Sequence, residues 1–204
     1  LRIVKMMGRT IFQKPKAVTV CFLGPNGSGK STLAKQLKEE YQQFFKKFIP
    51  KTKIVYFGWK PFLPITKLLS SLFKKINYNI VEKSNIKKRN TVSKAFFRSA
   101  LFSYFFLEYL ARYLWIIFPQ RNKKRIILID RYFYDIYAHY HAAESSSFFW
   151  FLLKLFPKPD YTFILEVPVE KLLERKQEMT KEKLQEHQQK YQQLQNIISM
   201  YKID

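Results

Sequence analysis

Hydrophobic positions in this chain fall into two patterns, short continuous apolar runs and longer stretches in which apolar residues recur every three or four positions. The continuous runs are typical of strands that are buried on both faces of a parallel sheet. The periodic stretches indicate helices with one buried face. Strands are predicted at residues 18–23, 53–57, 125–130, 161–167 and 201–204.

Helices are predicted between these strands. The first begins at Lys30 and continues to about Lys47, since its apolar positions share one helical face. Further helices are predicted at residues 65–75, 94–118, 134–143, 148–156 and 170–175. The charged, glutamine-rich residues 176–190 predict a solvated surface helix or a mobile lid, with the lid placed roughly at 174–190. The usual closing helix after the fifth strand is expected to be absent.

The alternation of strands and helices predicts a three-layer α/β/α fold around a parallel five-stranded sheet. Residues 17–204 are interpreted as one domain that follows a basic leader at residues 1–16. The most apolar helix, residues 94–118, approaches the ~20 residues that a membrane span needs. Three charged residues interrupt it within an arc of about 80°. We therefore interpret it as a core helix whose charged stripe lines a cleft: Arg98, Glu108 and Arg112.

The net charge is strongly positive, with 37 lysines and arginines against 15 acidic residues. This favours an anionic partner such as a nucleotide, nucleic acid or anionic lipid. The basic residues cluster at 74–98 and 121–125. These stretches are predicted to be loops rather than a helix that reads a DNA groove, which argues against a nucleic-acid partner. Peripheral membrane contact through the apolar segment 148–156 stays open. The single cysteine, Cys21, favours a reducing, cytoplasmic setting.

A glycine-rich loop with the spacing G-x-x-x-x-G-K-S joins the first predicted strand to the first predicted helix. In this phosphate-binding loop, glycines let backbone N–H groups point at phosphate oxygens. Lys30 can reach the β and γ phosphates of a nucleoside triphosphate, and the Ser31 hydroxyl can ligate Mg²⁺. The residues predicted to bind the nucleotide are Gly24, Asn26, Gly27, Ser28, Gly29, Lys30, Ser31 and Thr32.

Two later segments are candidates for the rest of a reaction site. Asp130 ends a buried strand, where the second Mg²⁺ group of a phosphate-loop enzyme is expected, and Arg131 and Tyr132 follow it. An aromatic loop with Trp59 and Lys60 follows the second strand. It is predicted either to grip a planar substrate or to pack under a loop.

Two classes of phosphate-loop protein do not fit. ABC transporter ATPases need a second glycine-rich signature, LSGGQ, which the five glycines of this chain cannot form. GTPases need an NKxD element after a strand, and the sequence has none.

The chain resembles the thymidylate kinase branch of the nucleoside monophosphate kinase fold. Four features carry this resemblance, in the family's order: GPNGSGKST at 24–32, Asp130-Arg131-Tyr132, the segment PDYTFILEVP at 159–168, and the helix start Glu170 to Arg175. The resemblance implies that Asp130 holds the metal's water shell or assists the attacking oxygen. It further implies that Arg131 clamps phosphate between donor and acceptor, and that Arg175 neutralises charge on the transferring group.

The acceptor side departs from the family pattern. Lys60 stands near the position of an Arg-Glu-Pro-Gly element, and Glu108 with Arg112 stands in place of an Ala-Asp-Arg element. These residues, with Trp59, Arg98 and Tyr132, are the candidate acceptor contacts. The family also pairs through long apolar helices, which implies a homodimer through residues 95–118.

The expected function is Mg²⁺- and ATP-dependent transfer of the γ-phosphoryl group to a nucleoside monophosphate resembling dTMP. A sugar or lipid-linked metabolite is the alternative acceptor. The remaining alternative is a nucleotide-binding module, without kinase activity, that acts at nucleic acid or a membrane.

Overall fold

A computed structural model describes residues 17–44, 51–58, 62–63, 91–139, 146–175 and 179–203. The predicted leader, the predicted helix 65–75, and both Trp59 and Lys60 lie outside the described residues. The strands are β1 (Val18–Leu23), β2 (Thr52–Tyr56), β3 (Ile126–Asp130), β4 (Tyr161–Leu165) and β5 (Tyr201–Ile203). The helices are α1 (Lys30–Phe44), α2 (Thr91–Arg112), α3 (Phe118–Arg121), α4 (Asp135–His139), α5 (Ser147–Leu155), α6 (Val169–Arg175) and α7 (Lys181–Gln195), with a π-helical turn at Tyr113–Ile117.

The five strands form one sheet in the order β2-β3-β1-β4-β5, and every neighbouring pair is parallel. This confirms the predicted fold class. In the register of β1 and β3, Phe22 lies opposite Asp130. Because parallel strands end at the same edge of a sheet, the chain leaves β1 and β3 side by side. The glycine-rich loop and Asp130 therefore share one edge.

The sheet is covered on both faces by apolar side chains. On one face, α1 packs Leu37 and Tyr41 against Val18, Val20 and other strand residues. The apolar core on the opposite face is larger, and many of its residues are aromatic side chains, including some from α2, α5 and α7. Cys21 lies in this second core with no solvent exposure, and burial raises the pKa of its thiol above the ordinary value.

The long apolar segment forms α2, the π-helical turn and α3 in succession. One face packs into the core through residues such as Phe102, Phe105 and Tyr109. By length and composition, Arg98–Arg121 could cross a membrane, with a mean hydropathy of 1.3. Its packing against the sheet agrees with the interpretation as a core helix. Its outer face exposes Leu107, Leu114, Trp115 and Phe118.

The glutamine-rich segment differs from the sequence prediction. Helix α7 starts after Thr180, whose side chain accepts a hydrogen bond from the Lys183 N–H, and extends to Gln195. It buries Leu184, Tyr191 and Leu194. The helix is therefore not solvated on all sides, because a narrow apolar stripe runs through its polar sequence.

Candidate active site

The glycine-rich loop continues directly from the central strand and opens α1. Gly24, Gly27 and Gly29 have φ angles of 140°, 84° and 90°, a region that L side chains rarely adopt. At Gly24 a Cβ atom would also lie 2.8 Å from the backbone oxygen of Leu165 in β4. The loop is thus packed against the neighbouring strand, and glycine is the residue that permits this approach.

The Lys30 ammonium group lies inside the loop. Its Nζ donates to the carbonyl oxygens of Gly24 (2.8 Å) and Pro25 (2.6 Å), and to Ser28 Oγ (3.2 Å). The residue is 5% exposed. These contacts hold a positive charge at the centre of the loop, where backbone N–H groups of the same loop offer further attraction to an anion.

Ser31 and Asp130 meet at the sheet edge. Ser31 Oγ donates to Asp130 Oδ2 at 2.5 Å. Asp130 is 4% exposed, and its Oδ1 has no hydrogen-bond partner within the part of the chain that the structure describes. A buried carboxylate oxygen with no partner is costly. A hydroxyl and a carboxylate are oxygen ligands of the kind that Mg²⁺ prefers, so the pair fits that ion.

Arg131 bridges the loop and helix α4. Its backbone is left-handed, with φ 69°, and its N–H donates to the Phe22 oxygen at 3.1 Å. One end of the guanidinium donates to Asn26 Oδ1 in the loop, and the other to Asp135 Oδ2 at 2.8 Å. Burial alone would lower the pKa of Arg131, but the Asp135 carboxylate raises it above the ordinary arginine value. The group stays positive beside the loop.

Arg175, the last residue of α6, reaches the same loop from the exposed side. Its guanidinium donates to the Gly27 oxygen at 3.3 Å. Thr32 is exposed on the first turn of α1. The structure therefore gathers five sequence-predicted residues around one loop: Lys30, Ser31, Asp130, Arg131 and Arg175.

Two charged residues of α2, Glu108 and Arg112, contact backbone rather than an open cleft. Glu108 is fully buried and accepts hydrogen bonds from the N–H groups of Phe62 and Leu63, the latter at 3.2 Å. Arg112 donates to the Gly58 oxygen at 2.6 Å. The interpretation of this stripe as a cleft lining is thus corrected. Both side chains hold the segment after β2, because buried backbone groups need partners.

Two other predicted acceptor residues, Tyr132 and Arg98, lie elsewhere in the fold than Glu108 and Arg112. Tyr132 is 1% exposed, its hydroxyl donates to the Pro157 oxygen at 2.6 Å, and its ring lies 5.4 Å from that of Phe57. The prediction of Tyr132 as a substrate contact does not agree with this core position. Arg98 is half-buried and lies about 15 Å along the helix axis from Glu108.

A cavity of about 460 Å³ adjoins the loop at Pro25. This volume lies in the range of small-molecule sites. The end of β4 forms one wall and helices α6 and α7 form the other, with lining residues that include Glu166, Lys171, Gln188 and Tyr191. Sequence reasoning did not find this cavity, because its walls come from separate elements.

Sequence reasoning also missed a polar cluster beside Arg131. Asp135 is 3% exposed and bridges two partners, accepting from Arg131 through Oδ2 and from the Tyr191 hydroxyl of α7 through Oδ1 at 2.9 Å. His139 Nε2 lies 3.3 Å from the Arg131 guanidinium. The sequence carries no signal for this pair, because Arg131 precedes α4 and has a left-handed backbone, so the i,i+4 rule for neighbours on one helix does not apply.

The two histidines of this cluster predict an acid-sensitive contact between α4 and α7. The rings of His139 and His187 lie 4.9 Å apart. Burial, with added repulsion from His139 and Lys190, lowers the pKa of His187 to about 4. As the pH falls, His187 is therefore protonated in the unfolded state before it is protonated in the folded state. The free energy of unfolding is thus highest above pH ~6.5 and decreases as the pH falls towards 4. We expect His187→Gln to flatten this decline in urea unfolding between pH 7 and 4.5; an unchanged slope would contradict the assignment.

Comparison with known proteins indicates the same chemistry as the residues around the loop. A thymidylate kinase family model matches residues 76–202. The chain belongs to the thymidylate kinase family. The match begins after the glycine-rich loop, so the loop is a separate indication of the same chemistry. As a member of this family, the chain is a phosphotransferase of the nucleoside monophosphate kinase type.

Two solved thymidylate kinases share the fold of this family member. The structure of the Ehrlichia chaffeensis enzyme has a TM-score of 0.53 and 18% identity, covering 92% of this chain and 85% of that chain. The Candida albicans enzyme, described as having broad substrate specificity, has a TM-score of 0.56 and 18% identity, covering 93% and 84%. No curated protein sequence matches significantly.

Proposed function

We propose that this chain transfers the γ-phosphoryl group of ATP to a nucleoside monophosphate, with dTMP as the first candidate acceptor. The observation that carries the proposal is the contact between Ser31 and Asp130 at the sheet edge, beside the buried Lys30. Phosphoryl transfer needs mainly positioning and positive charge around dispersed negative charge. The residues around the loop supply both.

Each residue at the loop has a role in this proposal. Backbone N–H groups of the loop and the Lys30 ammonium bind the β and γ phosphates of ATP. Arg131 lies between the loop and α4 and contacts the transferring group from the acceptor side. Arg175 approaches Gly27 from the lid and offsets charge that develops on the phosphoryl oxygens. The proton of the attacking oxygen is taken up at Asp130 or released to water.

Ser31 and Asp130 are the residues that would hold Mg²⁺. Their fit rests on the unpartnered Oδ1 of Asp130 and on the short approach of the Ser31 hydroxyl, judged on the described residues. When bound, the ion supplies charge neutralisation and orients the phosphate oxygens.

The acceptor is proposed to bind at the segment after β2, which Glu108 and Arg112 hold through its backbone. Its central residues, Trp59 and Lys60, are the proposed direct contacts. The breadth of substrates ascribed to the Candida albicans enzyme supports testing several acceptors. A sugar or lipid-linked acceptor would use the same donor site.

The experiment is a coupled ADP-release assay with Mg²⁺ and ATP. The acceptor panel contains dTMP, dUMP, other nucleoside monophosphates and several sugars. We expect a monophosphate to raise turnover well above ATP hydrolysis, and removal of Mg²⁺ by EDTA to stop it. Stimulation by a sugar alone would transfer the proposal to the alternative acceptor class, and no stimulation by any compound would contradict it.

We expect Glu108→Gln to affect the acceptor more than ATP. The substitution removes a buried negative charge that accepts two backbone N–H groups, so the segment after β2 loses its support. The KM for the monophosphate should rise roughly tenfold, while the KM for ATP changes little. Steady-state kinetics with each substrate varied in turn measure both constants. Glu39→Gln, an exposed change on α1, is the charge-matched control.

A homodimer in the cytoplasm is the proposed state. The exposed apolar side chains of α2, its π-helical turn and α3 would be covered by a second copy: Leu107, Leu114, Trp115 and Phe118. The buried thiol of Cys21 supports a reducing setting. Light scattering of wild type and Trp115→Glu tests the pairing, because an added charge at a dimer interface should give monomers.

A further inference from the structure

Helices α4 and α7 are joined by two side-chain hydrogen bonds that differ in what lies beyond them. The Tyr191 hydroxyl of α7 donates to Asp135 Oδ1 at 2.9 Å, and the Tyr137 hydroxyl of α4 donates to Gln193 Oε1 at 2.6 Å. Each joins residues 56 positions apart in sequence. Only the Tyr191–Asp135 bond is connected to the reaction site, because Asp135 also accepts a hydrogen bond from Arg131.

The connection from α7 to the loop consists of short contacts. Tyr191 is 1% exposed and Asp135 is 3% exposed, so water competes little for either group. Asp135 accepts from the Arg131 guanidinium at 2.8 Å, and the other end of that guanidinium donates to Asn26 in the loop. A planar guanidinium held at both ends has little freedom to rotate. The position of Asp135 therefore fixes the position of Arg131.

We propose that Asp135 and Tyr191 are positioning residues that fix the Arg131 guanidinium at the phosphate-binding loop and tie its position to helix α7, an inference that rests on the proposed function. Helix α7 begins at Lys181, six positions after Arg175, and its Gln188 and Tyr191 line the cavity that adjoins the loop at Pro25. The hydroxyl of Tyr191 and the carboxylate of Asp135 thus link α7 to the Arg131 guanidinium.

The tether acts on the chemical step rather than on ATP binding. Lys30 and the loop N–H groups contact the donor phosphates without Asp135, so affinity for ATP does not depend on the tether. An Arg131 side chain that is free to rotate contacts the transferring group for a smaller fraction of the time. Loss of the tether therefore lowers kcat and leaves the KM for ATP nearly unchanged.

The test compares Tyr191→Phe with Tyr137→Phe. Each variant loses one hydroxyl and one hydrogen bond between α4 and α7. Because Asp135 is buried and Gln193 is exposed, Tyr191→Phe is expected to be the less stable variant, so kcat rather than stability is the readout that separates the two. We expect Tyr191→Phe to lower kcat roughly tenfold, with the KM for ATP within about twofold, and Tyr137→Phe to retain wild-type kcat. Assays are run where circular dichroism shows each variant folded.

A double-mutant cycle shows whether the effect passes through Arg131. In an Arg131→Ala background, Tyr191→Phe should lower kcat no further, because the residue it positions is gone. Asp135→Asn keeps the shape of the side chain and should lower kcat at least as much as Tyr191→Phe. Equal kcat values for the two tyrosine variants, or additive effects in the cycle, would overturn the inference. Wild-type protein without monophosphate kinase activity would instead overturn the proposed function itself.

Discussion

Replacing Lys30 with alanine is expected to lower kcat/KM for phosphoryl transfer by about 10³-fold, the largest effect of any single substitution at the site. Lys30 Nζ is enclosed by Gly24 O, Pro25 O and Ser28 Oγ, so its charge lies in a region from which water is largely excluded. A charge in such surroundings interacts with phosphate more strongly than one in water. Its removal also takes one hydrogen-bond donor from each of three oxygen atoms.

Steady-state kinetics and ATP titration by calorimetry measure the Lys30 effect. Lys35→Ala is the matched control, because Lys35 lies on the same helix but is exposed. We expect that control to retain wild-type kinetics. Turnover by Lys30→Ala within about tenfold of wild type would show that the loop is not the donor site.

Replacing Arg131 with alanine is expected to lower kcat roughly 10²–10³-fold, with the Kd for ATP within about threefold of wild type. The guanidinium spans from Asn26 to Asp135, so it borders the loop where the loop faces α4. A charge placed there acts mainly when the phosphoryl group leaves the donor. Arg131→Lys is expected to recover little activity, since an ammonium group cannot make both contacts at once.

Single-turnover measurements separate binding from chemistry for the Arg131 variants. Arg125→Ala removes an equal charge from the other end of β3, where Arg125 donates to Gln120 Oε1 at 2.9 Å, and serves as control. If ATP affinity fell as strongly as kcat in Arg131→Ala, the residue would be a donor-phosphate ligand rather than a clamp between donor and acceptor.

The donor half of the site could be predicted because its information is local or follows from a rule of sheets. The loop and the start of α1 are contained in nine consecutive residues, 24–32. Ser31 and Asp130 are 99 positions apart, yet their meeting follows from the shared edge of parallel strands. Because Asp130 is the last residue of a buried parallel strand, the sequence alone was sufficient to place it near the loop.

The remaining parts of the site depend on tertiary packing that spacing does not encode. Glu108 and Arg112 were recognised as a stripe, but the sequence could not show that backbone groups of Gly58, Phe62 and Leu63 would contact them. Asp135 was not predicted to be a site residue, because its partner Tyr191 lies on α7, where the many glutamines make the apolar stripe hard to recognise in the sequence. Tyr132 was misplaced because the left-handed backbone at Arg131 changes the chain direction, and the ring then enters the core.

Because of the position of Cys21, the reactivity of its thiol reports the unfolding of the protein. It is the single cysteine and lies in the central strand, with both sides of that strand paired. The thiolate is the nucleophile that attacks alkylating reagents, and this thiol is both shielded from solvent and held protonated. The rate of mass gain in iodoacetamide should therefore follow the opening of the sheet, and saturating ATP should slow labelling by a factor that grows exponentially with the free energy of unfolding that it adds.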